Sequence, residues 1–140
     1  MMLSHPRDAA IATVRRYYEA FNAGDREGML ALLADDVVHD VNQGGREVGR
    51  AAFRAFLARM DRCYRERLAD LVVMASDDGR RAAAEFTVHG TYLVADEGLP
   101  PAHGQHYVLP AGAFLALDAE GRITRVTTYY NLADWIAQVS

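Results

Sequence analysis

Residues 16–40 read RYYEAFNAGDREGMLALLADDVVHD, from Arg16 to Asp40, and the order of signals in this stretch decides the fold. Its first part closes a helix. From Asp8 to Asn22 the apolar residues Ala10, Ile11, Val14, Tyr17, Tyr18 and Phe21 recur at steps of three and four, the period of an amphipathic helix. Asn22-Ala23-Gly24 stops it, with Gly24 suited to the left-handed position after a helix end. Asp25 can then cap a second helix whose core face would be Met29, Leu30, Leu32 and Leu33. Asp35-Asp36 ends that helix, and Val37 to Val41 reads as a short strand turning through Asn42-Gln43-Gly44-Gly45 into Arg46 to Gly49.

Working outward, Arg50 to Tyr64 returns to helical period through Ala52, Phe53, Phe56, Leu57, Met60 and Cys63. Beyond it the segments Arg67–Ala75, Arg81–Val94, Gln105–Leu117 and Arg122–Tyr130 are separated by turn signals at Asp77-Asp78-Gly79, Pro100-Pro101 and Ala119-Glu120-Gly121. They predict an antiparallel meander. A last piece, Leu132 to Val139, places Trp135, Ile136 and Val139 at helical spacing, as a short lid helix. Helices first and hairpin-linked strands after indicate an α+β fold.

The chain has 140 residues, enough for one domain with a real core, and 1–140 is read as a single unit. Half its residues are apolar and a quarter charged, an ordinary globular composition. With a formal charge of −4 and arginines spread along the chain, no basic stripe is offered to nucleic acid. Cys63 is the only cysteine, so an internal disulfide is excluded and a reducing cytoplasm is expected. The opening MMLSHPRDAA lacks the order of a secretory signal, and no apolar run approaches the roughly 18 residues of a membrane span. No membrane association is expected.

The stretch from Arg16 to Asp40 resembles the opening of ketosteroid isomerase and SnoaL-like proteins of the nuclear-transport-factor-2-like superfamily. There a tyrosine on the first helix precedes an N-A-G-D corner and a D-D strand start. FTVHGTY (Phe86–Tyr92), YVLPAGAF (Tyr107–Phe114) and the closing VTTYYNLADWIAQ extend the similarity over nearly the whole chain. The resemblance implies a cystatin-like cone: three N-terminal helices packed on a curved, mainly antiparallel sheet that encloses a pocket. In the isomerases a carboxylate base moves a proton between carbons while a tyrosine and a neutral aspartic acid hold the enolate oxygen. By that resemblance Tyr17 takes the oxyanion tyrosine position. The neutral aspartic acid falls on Gly112, which carries no donor, so the resemblance implies the scaffold more than steroid isomerisation itself.

The base has two candidates. Ungapped counting from Asp36 sets Val41 at the family's aspartate, with Asp40 one residue early, and strand alternation puts His39 and Asp40 on opposite faces. Either can do acid–base work in an apolar pocket, where ionisation is tuned toward neutrality. If Phe86 faces the concave side, so do Val88, Gly90 and Tyr92, while His89 lies outside. The same alternation predicts a ligand pocket lined by Val41, Phe53, Gly112, Phe114, Val126, Thr128 and Tyr130, closed by Trp135. Leu109, Ala111, Ala113 and Leu115 would then form a flat outer face for a homodimer.

His103 and His106 are three apart, but no further ligands complete a metal site. No phosphate loop, nucleophile elbow or dinucleotide fingerprint is present, so no cofactor is implied. Three functions follow: a cofactor-independent isomerase, cyclase or hydratase acting on an apolar, carbonyl-bearing small molecule; a non-catalytic binder of a hydrophobic metabolite; or a protein-interaction module.

Overall fold

The first helix, α1 (Pro6–Ala23), starts on a proline whose missing N–H costs nothing there, with His5 Nδ1 accepting the Arg7 amide. It ends at Gly24, whose φ of +72° lets its N–H return to the carbonyl of Phe21. Two residues earlier, the Asn22 side chain donates to the Leu68 carbonyl (2.9 Å) and accepts the Leu68 amide (2.8 Å), tying α1 to the sheet. The computed structural model describes residues 5–41 and 44–140.

The remaining elements are α2 (Arg26–Leu30), β1 (Leu33–Asp40), β2 (Arg46–Val48), α3 (Arg50–Cys63), β3 (Tyr64–Ala75), β4 (Arg81–Tyr92), β5 (His106–Leu117), β6 (Ile123–Tyr130) and α4 (Leu132–Val139). The six strands form one sheet in the order β2-β1-β6-β5-β4-β3, antiparallel except for the β1–β6 pair. Three helices do fall in the first half of the chain, but the β1–β2 pair separates α2 from α3. The turn expected at Asn42-Gln43-Gly44-Gly45 rests on two residues, 42 and 43, outside the described set.

The second helix is shorter than its sequence suggests. Asp25 caps it through the Gly28 amide, yet it stops at Leu30, and Leu33 to Asp36 are strand. A helix this short has little stability of its own, and β6 claims the next residues: the Ile123 amide bonds the Leu32 carbonyl, and Leu33 pairs with Ile123.

Register fixes which side chains look inward. On β4 these are Phe86, Val88, Gly90 and Tyr92, and on β6 Val126, Thr128 and Tyr130. Because Phe86 pairs with Ala111, Val88 with Leu109, and Thr128 with Ala113, the inward residues of β5 are Tyr107, Leu109, Ala111, Ala113, Leu115 and Leu117. This reverses the sequence expectation for β5. Gly112 and Phe114 lie on the outer face, where Phe114 is 56% exposed, and the expected outer row of Leu109, Ala111, Ala113 and Leu115 lies inside.

In β3 the pairing with β4 slips between Ala69 and Val72, and Asp70 takes a left-handed φ of +56°. This bulge lets one strand turn Glu66 and Leu68 inward before it and Val73 inward after it, and it bends the sheet around the helices. The core fills the concavity, from Val14, Tyr17 and Tyr18 of α1 through Phe53 and Leu57 of α3 to the inner faces of β4–β6.

Helix α4 closes one end. Trp135 is buried among the rings of Tyr92 (4.9 Å), Tyr107 (5.8 Å) and Tyr64 (6.0 Å). Gln138 bonds both the amide and the carbonyl of Val108, and Gln105 Nε2 bonds the carbonyls of Pro101 and Val139. The Tyr92 hydroxyl donates to the Pro100 carbonyl (2.6 Å) and accepts the Asp96 amide (3.0 Å). The connection between β4 and β5 is therefore fastened at several points. No described helix is long and apolar enough to cross a membrane.

Candidate active site

Between the helices and the concave sheet lies a cavity of about 430 Å³, predominantly apolar. Phe53, Phe56 and Leu57 of α3, Phe86 and Val88 of β4, and Leu109 of β5 supply its greasy wall. Of the residues expected from sequence, Tyr17, His39, Val41, Phe53, Phe86, Val88, Thr128, Tyr130 and Trp135 border it. Gly112 and Phe114 do not, being on the other face. Tyr92 does not either: it is wholly buried behind Trp135 with its hydroxyl already occupied.

His39 and Asp40 part as alternation requires, and the inward residue is the histidine. His39 pairs with inward-facing Val126 and is 5% exposed, its ring between those of Phe53 and Phe56, each 4.5 Å away. Burial pulls its pKa below the ordinary value, against the weaker upward pull of the Glu47 and Asp40 charges. It is a neutral imidazole at pH 7. Its Nδ1 is shut away without a hydrogen-bond partner, and Glu47 Oε1 stands 3.8 Å from it, outside hydrogen-bond reach but close enough to favour the Nδ1–H tautomer. That tautomer leaves the lone pair on Nε2.

Asp40 also borders the cavity, but its carboxylate is taken up by Arg46 and Thr127. Arg46 Nε donates to Oδ1 at 2.6 Å, and the Thr127 hydroxyl, itself held by Arg125, donates to Oδ2 at 2.5 Å. These bonds hold its pKa down at about 2. A carboxylate so satisfied is a poor base, which favours His39 of the two candidates.

Tyr17 and Tyr18 enter from α1, edge to face at 5.0 Å, with Tyr18 against Phe86. Burial raises the pKa of both phenols, so each is a proton donor at neutral pH. At the mouth, Arg26 is locked to Asp61 at 2.7 Å, and the Tyr64 hydroxyl donates to Asp96 at 2.9 Å.

Sequence reasoning missed Glu66. It lies inward on β3 and lines the cavity, and the Tyr107 hydroxyl donates to its Oε2 at 2.5 Å. Burial raises its pKa, opposed by the Tyr107 bond and the Arg26 charge. The only signal in the chain was its place two residues before the core residue Leu68, and the alternating charges of RERL hid it. Among the described residues no cluster of His, Cys, Asp or Glu could hold a metal ion. All the basic residues are arginine, so no lysine is available for Schiff-base chemistry.

The SnoaL-like domain family matches residues 14–126. A proposed polyketide cyclase from Pseudomonas putida is 63% identical, with 94% of this chain and 98% of that one covered and a TM-score of 0.92. A second proposed polyketide cyclase, from Xanthomonas campestris, is 61% identical over 96% and 99% of the two chains, with a TM-score of 0.93. An NTF2-like protein of unknown function from Burkholderia pseudomallei, 24% identical over 94% and 98% with a TM-score of 0.78, shares the fold. No functionally curated protein is significantly similar in sequence. The match across most of the chain, the cone with its apolar cavity, and the two close relatives lead to one conclusion: this chain belongs to the SnoaL-like family of NTF2-like proteins.

Proposed function

We propose that the protein is a cofactor-independent acid–base enzyme of the isomerase or cyclase kind, acting on a largely apolar small molecule that carries a carbonyl group. The observation that carries this reading is a neutral imidazole, His39, set in the apolar wall of a cavity that also holds the phenol of Tyr17. His39 Nε2 removes a proton from carbon beside the carbonyl, the electron pair of that C–H bond shifts toward oxygen, and Tyr17 hydrogen-bonds the oxyanion. Returning the proton to a different carbon gives isomerisation. Attack of the enolate carbon on a second carbonyl of the same molecule, with the His39 proton passing to the new alkoxide, gives ring closure. The two close relatives proposed to be polyketide cyclases favour the second outcome.

The test is exchange of α-protons for deuterium in a panel of cyclic ketones and diketones, followed by NMR. Wild-type protein should accelerate exchange and His39→Ala should not. Binding without exchange would favour the rival reading, a non-catalytic carrier of an apolar metabolite, which gains some support from Gly112 lying outside with no donor to offer. The outer sheet face, where Val72, Met74, Phe114 and Tyr129 are exposed, supports a homodimer, with residues other than those first expected. A reducing, cytoplasmic setting suits the buried free thiol of Cys63.

A further inference from the structure

Glu66 is the half-buried acid that the scheme above does not use, and three features show a place prepared for it. It sits on the inward face of β3 in direct register with Gly90, which in turn pairs with Tyr107, so the three residues form one rung across the sheet. A Cβ at position 90 would fall 2.1 Å from Tyr107 Cζ, so the absent side chain is what lets the Tyr107 ring lie over β4 and reach Glu66. The group bonded to its Oε2 is this phenol, a neutral donor. A carboxyl group so placed, bordering an apolar cavity, keeps its second oxygen for whatever enters.

We propose that Glu66 is a second proton-carrying group of this cavity, positioned by Tyr107 to pass a proton to an oxygen of the bound ligand and to take it back. The inference rests on the acid–base reading and deepens it, because it names the ligand class: a neutral molecule whose carbonyl or hydroxyl oxygen accepts a hydrogen bond from the cavity wall. As His39 Nε2 takes the carbon-bound proton, the ligand oxygen takes the proton of Glu66, yielding a neutral enol, an imidazolium and a carboxylate. On completion the enol proton returns to Glu66 and the imidazolium gives its proton to carbon or to the new alkoxide. Every proton is accounted for without a co-reactant. The groups that act on Glu66 are Tyr107 of β5 and, more distantly, Arg26 of α2, and burial among them favours its protonated form. An anionic ligand would meet this acid without a cation bonded to it, which selects against charged carboxylates and phosphates.

The experiment follows the infrared carbonyl band of a neutral carboxyl group in the full chain, with 2-naphthol as the probe ligand, in wild type, Glu66→Gln and Tyr107→Phe. At pH 7 the wild type should show a neutral carboxyl band that is absent from Glu66→Gln and shifts when naphthol binds. Naphthol should bind Glu66→Gln about three- to tenfold more weakly, the worth of one hydrogen bond. Tyr107→Phe should move the pH at which the band disappears, a readout that mere packing would not affect. A band missing from the wild type at pH 7, or one that naphthol leaves unmoved, overturns the proposal. Ketone exchange separates the two ideas: its absence from wild type defeats the acid–base reading, whereas exchange with an unresponsive band defeats only the role of Glu66.

Discussion

Asp40 on the outer face of β1 and Glu66 on the inner face of β3 carry the same functional group and are driven in opposite directions. Asp40 accepts hydrogen bonds from Arg46 and Thr127, and Arg125 stands behind the threonine, so it is held ionised down to about pH 2. Glu66 is bonded by a phenol, with the Arg26 charge acting on it more weakly, and burial moves its pKa up. Different causes decide the two outcomes: the guanidinium partner stabilises the charged form of Asp40, whereas at Glu66 the cost of burial outweighs the opposing bond from the phenol. His39 belongs with Glu66, since burial disfavours its charged form as well.

If inner-face groups carry the chemistry, the largest effect should come from His39. Replacing it with Ala should slow ketone exchange by about 10²–10⁴-fold, the usual contribution of a positioned base. Asp40→Asn should leave exchange close to wild type. The comparison breaks if the two variants exchange places in this assay.

The next effect is structural. Gly90→Val sets a side chain into the Tyr107 ring and should destabilise the fold by about 1–3 kcal/mol in urea titration, as overpacking does. It should also weaken naphthol binding, because displacing Tyr107 releases Glu66. Unchanged stability would mean that the rung Glu66–Gly90–Tyr107 is looser than its geometry implies.

Much of this was legible in the sequence, and the failures share a cause. The helices α1, α3 and α4 and the four long strands follow from periodicity and turn residues, while Tyr17 was put forward by the family resemblance and His39 by its place in the first strand. What could not be read was face. Alternation gives two sets of residues per strand but not which set is inside, and β5 was assigned the wrong one because its Leu-Ala-Ala-Leu row suits a flat contact as well as a core. Pairing of Phe86 with Ala111 decides it, and pairing is a tertiary fact. Glu66 was missed for a related reason: the strand was read as beginning at Arg67, and only the pairing of Glu66 with Gly90 shows that it starts at Tyr64 and turns Glu66 inward. The short α2 shows tertiary pairing overriding a helical pattern.

Smaller effects should distinguish the two carboxyls by the sign of their pH dependence. Asp40 has a folded pKa of about 2, below the unfolded value of about 4, so its stabilisation is complete above pH 4 and is lost as pH falls through 2. Asp40→Asn should therefore be less stable than wild type at pH 7, by about 1 kcal/mol after solvent screening, and equal to it in strong acid. Glu66 has the opposite shift. Its protonated form is favoured on folding, so wild type loses stability as pH rises from the unfolded value of about 4.3 through the raised folded one. Glu66→Gln should match wild type at low pH and exceed it at high pH. Thermal melts across pH would sink the comparison if both variants shifted in the same sense.

The smallest expected change in the monomer lies at Phe114. It is 56% exposed, edge to face with Tyr129 at 5.8 Å, on the sheet face that carries Val72 and Met74. Phe114→Arg should alter monomer stability by no more than about 0.5 kcal/mol, as surface substitutions do, since nothing in the cavity depends on it. If two copies pair through this face, as proposed, the same substitution should convert that dimer to monomer in light scattering, because each copy would bury an unpaired guanidinium. With ketone exchange retained in that monomer, inner and outer faces would be functionally separate. Loss of exchange on dissociation would instead show that the outer face supports the cavity, and the division between reacting interior and assembling exterior would have to be abandoned.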